Sequence, residues 1–419
     1  MTKKLTFIDL FAGAGGLSEG FIRAGFNPIA HVEMDEAACY TLKTRTAYHY
    51  LEGKKKMEEY IRYLKGDIDR ATLYSFIPQY EMDSVINLAL SDENNAAIFK
   101  KIDTRLKNEE VDLIIGGPPC QAYSLVGRAR SKDSMKKDPR NHLYLQYAKF
   151  LKKYNPKMFV FENVLGLRSA GGGEYFKKMK KKFDAIGYTV KDFLFNAKDF
   201  GVLQNRKRII LIGYKKDLNI TLPNIELNKV IEYKVESIFY DLPKLKAGQG
   251  KDKYAQYAKE TNEYLSSSHI RNGIDVLTQH VSRPHTEQDK EIYRIAIGQL
   301  KEGERMSYTS LPSRLRTHKN QHSFFDRFKV VDGKAVHAQT IVAHIAKDGH
   351  YYIHPDIKQN RSITIREAAR LQSFPDDFYF EGVKEGKNRT AAFKQVGNAV
   401  PPLMAEEIAK KVKELWKKS

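Results

Sequence analysis

The chain has 419 residues, with 71 Lys+Arg against 51 Asp+Glu and a formal net charge of +20. That length suggests two or three domains at about 100–200 residues each, and 42% hydrophobic with 29% charged residues excludes a disordered chain. Two cysteines, Cys39 and Cys120, exclude a disulfide scaffold or a multi-cysteine zinc finger. The N-terminus has no secretory h-region, because Asp9 and a run of glycines interrupt it, and no stretch approaches the ~18 apolar residues of a membrane span. A cytoplasmic enzyme or nucleic-acid binder with no membrane partner is expected. The charge favours phosphate backbones, although Lys177, Lys178, Lys180 and Lys181 read equally as one solvated helix face.

Leu5–Phe11, the Gly-rich turn at Ala12–Gly16 and an amphipathic stretch to Ala24 read as strand, turn and helix. The next apolar run, Pro28–Val32, ends in Glu33, 20 positions after Gly13. A Gly-rich turn opening a helix, with an acid at that distance, suits a nucleotide-like ligand and its ribose hydroxyls. Gly13 and Gly15 fit the dinucleotide fingerprint, but Ser18 stands where its third glycine belongs, which argues against a pyrophosphate. Cys39, within Ala37–Leu42, reads as core. The interval Asp67–Val111 is long, and its Arg70–Ala89 portion is expected to be an inserted helical hairpin of unknown role. Val111–Ile115 is a buried-strand run ending in Gly116-Gly117-Pro118-Pro119-Cys120-Gln121, where ligands bind in open α/β sheets. Met158–Phe161 delivers Glu162-Asn163 in the same way, and Gln204-Asn205-Arg206-Lys207-Arg208 precedes the strand Ile209–Gly213. With helical stretches at Tyr144–Lys153 and Tyr175–Ile186, the pattern predicts an α/β fold with a doubly wound, mostly parallel sheet. Cys120 reads either as a buried inert thiol or as a nucleophile whose thiolate needs cationic neighbours, which Arg206 and Arg208 would supply on an adjacent strand.

Together the motifs resemble, in order, those of the DNA (cytosine-5) methyltransferases. They are Phe7 to Gly16, Gly117 to Gln121, Phe161 to Val164, Gln204 to Arg208, Arg366-Glu367-Ala368-Ala369-Arg370-Leu371-Gln372 and Gln395-Val396-Gly397-Asn398-Ala399-Val400-Pro401. The resemblance implies a Rossmann-like S-adenosylmethionine-dependent fold, with S-adenosylhomocysteine as product and no metal. Phe11, Ala12, Gly13, Gly15 and Pro118 would line the donor pocket. Glu33 would hold the ribose, Met34 would pack on the adenine, Asp67 and Ile68 would meet its edge, and Asn398 and Ala399 would close the pocket. Cys120 would add to carbon 6 of cytosine, Glu162 would act at nitrogen 3 as acid or hydrogen-bond donor, and Arg208, supported by Arg206, would act at O2. The base must be flipped out of the duplex. The segment after Cys120, with Ser124, Arg128, Arg130 and Lys132, resembles the family's catalytic loop and would meet phosphates.

The resemblance divides the chain into a catalytic domain (1–215), a smaller target-recognition domain (216–361) and a return segment completing the catalytic domain (362–419). Arg314, Arg316 and Arg327 are the recognition-domain candidates for base edges or phosphates. Eight of the twelve histidines fall between His280 and His354, and without nearby cysteines they read as surface or DNA-contacting groups, not metal ligands. The expected partners are double-stranded DNA and a restriction endonuclease acting on the same site, with the chain itself a monomer. A tRNA cytosine-5 methyltransferase shares the Pro-Pro-Cys-Gln chemistry, and a catalytically silent DNA-binding protein is the alternative of a different class.

Overall fold

A computed structural model describes residues 4–107, 109–119, 142–218 and 231–417. At its centre lies β1 (Thr6–Leu10), all five residues of which are buried, as a strand covered on both faces requires. On one side of it come β2 (Asn27–Glu33) and β3 (Val85–Asn87), on the other β4 (Leu113–Gly116) and β5 (Met158–Val164), all parallel. Beyond β5, β7 (Lys207–Lys215) runs antiparallel between β5 and the edge strand β6 (Tyr188–Asn196). The order is β3-β2-β1-β4-β5-β7-β6, a doubly wound, mostly parallel sheet.

Helices cover both faces. α6 (Asn95–Leu106), α7 (Leu143–Tyr154) and α8 (Glu174–Ala185) pack on one, through Ile98, Ile102, Tyr147, Leu151 and Phe183. α1 (Gly16–Arg23) and α14 (Pro402–Trp416) pack on the other, through Leu17, Phe21, Met404, Ile408 and Val412. A Cβ on Gly20 would fall on the backbone of Ala405 and Glu406, so the last helix lies on the first at a distance only glycine permits. The end of the chain thereby completes the layer begun by the nucleotide-type turn.

α2 (Glu36–Gly53), α3 (Met57–Lys65), α4 (Arg70–Ser75) and α5 (Gln79–Met82) form a lobe beside the sheet, with Tyr48, Tyr60, Tyr63, Leu73 and Met82 in one cluster. The helical hairpin expected at Arg70–Ala89 is corrected here. α4 and α5 are helical, but the segment ends in β3, where Val85 and Ile86 are buried and pair with His31 and Val32. Three residues are too few to carry a periodic signal, so only the pairing reveals the strand.

Residues 231–361 hold little regular structure: a two-stranded ladder, Gly250–Lys251 with His280–Val281, α9 (Glu263–Ser267), α10 (Glu287–Lys301) and α11 (Gln321–Phe324). The return segment carries α12 (Ile365–Leu371) and α13 (Arg389–Asn398). Ile238, Leu265, Ile341 and Tyr352 share a core with Ile365, Ala369, Phe374 and Val396, so the middle region is seated on the return segment by apolar packing. Buried arginines fix this seam: Arg370 bonds Asp376 and Asp241, and Arg366 donates to the carbonyls of Thr278, Pro375 and Phe378.

Four of the middle-region histidines depart from the expected surface or DNA-contacting placement, whereas His318 is exposed. His280 and His354 are buried, and His285 and His350 are half-buried, each held in hydrogen bonds. His280 Nδ1 meets Thr364 Oγ1 at 3.1 Å, His285 Nε2 meets Ser362 Oγ at 3.0 Å and His350 Nδ1 meets Tyr293 Oη at 2.8 Å. Burial lowers His280, His285 and His350 to about 4 and His354 to about 3. Unfolded, each would take up its proton near pH 6.5. Between about pH 6.5 and 4 the unfolded state therefore binds more protons, and stability falls as pH falls. His49, raised by Glu19 against its own burial, and the carboxyls of Glu33, Asp252 and Glu381, raised by burial, oppose this. The urea midpoint should drop steadily from pH 7 to 5, and His354→Gln should flatten that slope whatever it does to the absolute midpoint; a midpoint that is level or rises on acidification contradicts the assignment.

Candidate active site

The chain leaves β1 toward one face of the sheet and β4 toward the other, and the register Leu10↔Gly116 ends both strands at the same level. The turns that follow therefore face one crevice, the place where doubly wound sheets bind ligands. In the first turn Phe11 has φ 59° and Gly13 φ 55°. A phenylalanine in the left-handed region costs about 1–3 kcal/mol, strain of a kind that clusters at functional sites.

Glu33, at the end of β2, closes over this turn. Its carboxylate accepts from the amides of Gly13 at 2.8 Å, Met34 at 2.8 Å and Asp35 at 2.7 Å, and burial lifts its pKa above the ordinary carboxylate value despite those donors. A Cβ on Gly13 would meet nothing within 4 Å, so the turn opens onto free space, and Met34 beside it is 67% exposed. Ala12 packs with Cys39, Leu42 and Val85 below. Burial, with the Glu33 charge added, pushes the Cys39 thiol up to about 12, consistent with its core reading. The far wall is the return segment: Asn398 ends α13, and Ala399 Cβ would lie 3.3 Å from a Cβ on Gly16.

Asp67 and Ile68 are not in this crevice. They follow α3, where Gly66 caps the helix and Ile68 packs with the tyrosines of the α2–α5 lobe. The residue at the carboxyl end of β3, beside Glu33, is Asn87, whose Nδ2 donates to the carbonyls of Glu33 and Met34, both at 3.1 Å. No motif marked it, and only the strand pairing could have found it.

The second half of the crevice is built by β4, β5 and β7. Phe161 pairs with Gly116, which sets Glu162 beside Gly117, and Val164 pairs with Arg208 across the antiparallel ladder. Arg208 Nε reaches Glu162 Oε1 at 2.7 Å, with 11% and 13% of the two side chains exposed. Asn163, buried behind them, donates to Pro118 O at 3.3 Å and accepts from the amide of Val164, so it pins the turn carrying Pro118 and Pro119. Alongside runs a cleft of about 400 Å³ lined by Val164, Leu165, Gly166, Asn205, Lys207, Arg208 and Thr340. Arg206 faces the other way: it is buried, donating to Ile341 O at 2.6 Å and Gly397 O at 3.0 Å. It ties Ile341 in the middle region and Gly397 in the return segment to the strand bearing Arg208. Cys120, Ser124, Arg128, Arg130 and Lys132 lie outside the described residues.

The C-5 cytosine-specific DNA methylase family matches residues 5–73 and 78–414. The chain belongs to this family. It is 44% identical to the type II methyltransferase M.Bpa9945I of Bacillus paralicheniformis over 97% of this chain and 98% of that one. It is 32% identical to the type II methyltransferase M.DdeI of Desulfomicrobium norvegicum over 97% and 88%. Among solved structures, a candidate DNA modification methyltransferase encoded within an E. coli prophage shares the fold, with a TM-score of 0.65 at 24% identity over 99% of this chain and 100% of that one. The protein is thus an S-adenosylmethionine-dependent cytosine-5 DNA methyltransferase.

In this methylase the three arginines singled out in the middle region differ in what holds them. Arg314 is exposed and forms a two-point ion pair with Glu291. Arg316 is half-buried. Arg327 is used within the region itself, bonded to Asp348 and meeting His344 Nε2 at 2.8 Å.

The glycine beside the glutamate gives a direct test of this geometry. A Cβ on Gly117 would lie 2.5 Å from Glu162 Oε2 and 3.1 Å from its carbonyl, so Gly117→Ala must displace a carboxylate that Arg208 holds in place. Misplacing a reacting group by about 1 Å costs on the order of 10²-fold in rate. Methyl transfer should fall by about that factor while affinity for S-adenosylhomocysteine stays within about twofold; unchanged transfer contradicts the assigned geometry.

Proposed function

We propose that this methylase modifies carbon 5 of a cytosine flipped out of a specific duplex sequence, through a covalent bond between Cys120 and carbon 6, and that the mark protects the DNA from a restriction endonuclease of the same specificity. The observation that carries the catalytic part is the Arg208–Glu162 contact beside Gly117. The protective role rests on the relatives, which are named type II methyltransferases.

Carbon 5 of cytosine is a poor nucleophile. Addition of the Cys120 thiolate to carbon 6 makes the ring enamine-like, so that carbon 5 can attack an electrophile. The charge pushed into the ring is met at nitrogen 3 by Glu162, as acid or hydrogen-bond donor, and at O2 by the Arg208 guanidinium, which also orients the base. Loss of the carbon 5 proton then expels Cys120. Bound S-adenosylmethionine supplies the electrophilic methyl group. The residues present suit it: the open turn at Gly13 receives the donor, Glu33 reaches its ribose hydroxyls, Met34 covers the adenine, and Asn87 takes the adenine-edge position first expected of Asp67. Asn398, Ala399 and Pro118 close the pocket. Ser124, Arg128, Arg130 and Lys132 contact phosphates, as does Arg314. Residues 216–361 act as the target-recognition unit, and the chain works as a monomer.

Incubation with tritiated S-adenosylmethionine and a mixture of plasmid and tRNA, followed by bisulfite sequencing, tests the substrate. Label should enter DNA as 5-methylcytosine at one recurrent sequence; label in tRNA alone overturns the proposal. The two halves of the site separate by mutation. Glu162→Gln should lower kcat about 10²-fold or more with donor affinity nearly unchanged, whereas Glu33→Ala should weaken donor binding about tenfold or more through lost charge-assisted hydrogen bonds, with a smaller effect on kcat.

A further inference from the structure

The cleft wall continues beyond Thr340 into a patch that the chemistry does not use. Val342 is 41% exposed, and the turn Ala343–Ala346 that follows presents His344 to Arg327. Arg327 belongs to the segment Phe324–Arg327. Phe324 stacks on His318, with ring centroids 3.5 Å apart, and packs edge-on to Tyr308. The next residue, Phe325, has its carbonyl fixed by the Tyr308 amide at 2.9 Å, yet its side chain is 55% exposed. A large aromatic ring is thus held in place by its backbone and its half-buried, stacked neighbour Phe324 but left in water, on the region adjoining the cleft.

The electrostatics around it suit a polyanion. Arg305 and Arg314 are about two-thirds exposed and Lys319 is exposed; of the acids nearby, Asp326 is paired with Arg305 and Lys329, Asp348 with Arg327, and Glu291 with Arg314, while Glu302 and Glu304 are exposed. A second copy of this chain would bring the same positive charge to the same place.

We propose that Phe325 is a specificity-determining residue, making an apolar contact with base edges in the groove of the target duplex, as a phenyl ring does with a thymine methyl. The basic groups around it contribute phosphate contacts that set its register. This inference rests on the DNA substrate proposed above but not on the covalent mechanism.

The test uses the full-length enzyme, Phe325→Ala and Phe325→Leu, and a plasmid library randomised around the methylated cytosine and read by bisulfite sequencing. Phe325→Ala should lose preference at one position of the site by about tenfold, within the range a single base contact supplies. Its S-adenosylhomocysteine affinity and thermal midpoint should stay at the wild-type values, and Phe325→Leu should recover most of the preference. If Phe325→Ala keeps wild-type preference at every position, the inference is wrong. A change in sedimentation with preference unchanged also overturns it, in favour of contact between copies. Absence of 5-methylcytosine with the wild-type enzyme defeats the substrate reading instead, and this inference with it.

Discussion

The Arg208–Glu162 contact exists because β7 runs against the rest of the sheet. A parallel strand beside β5 would begin at the opposite edge of the sheet and leave its first residues, Lys207 and Arg208, far from Glu162. An antiparallel one begins at that edge, so the arginine two residues after Arg206 enters the ladder opposite Val164 and lies alongside Glu162. Paired charges that are nearly buried hold one another's geometry, because separating either from its partner leaves an uncompensated charge. The Arg208 guanidinium therefore holds the Glu162 carboxylate in one place.

The rest of the molecule holds that edge in place. Gln204 bonds Gln372 and the carbonyl of Leu371, Gln372 bonds the carbonyl of Val396, and Arg206 bonds the carbonyls of Ile341 and Gly397. Through these buried side chains the start of β7 is joined to the middle region and to the return segment, whose Asn398–Ala399 corner faces the Gly-rich turn. The Gly-rich turn, the cleft beside Arg208 and the middle region thus meet at one seam. The polar residues of the two late motifs, Gln204 to Arg208 and Arg366 to Gln372, serve mainly as this seam.

Much of the site was legible in the sequence because it depends on local order. The spacing from Gly13 to Glu33 predicted an acid at the turn, and its carboxylate is found on the Gly13 amide. The apolar runs Val111–Ile115 and Met158–Phe161 placed Pro118 just past one strand and Glu162 near the carboxyl end of another, and they follow β4 and lie in β5. What sequence reading missed depends on distant partners. Asn87 is identified only by a three-residue strand, and the Gly66-Asp67-Ile68 match was local resemblance without the strand it needed. His280, His285 and His350 misled for the same reason, since composition does not reveal that Thr364, Ser362 and Tyr293 wait for them inside.

The central claim is that this crevice activates cytosine for attack by Cys120. DNA carrying 5-fluorocytosine at the target blocks loss of the substituent at carbon 5, so the enzyme should be trapped on it. In the presence of S-adenosylmethionine, a stable protein–DNA adduct should form and map by mass spectrometry to the peptide containing Cys120, and Cys120→Ala should give none. Failure of the wild-type enzyme to form the adduct, or an adduct that persists in Cys120→Ala, contradicts the account.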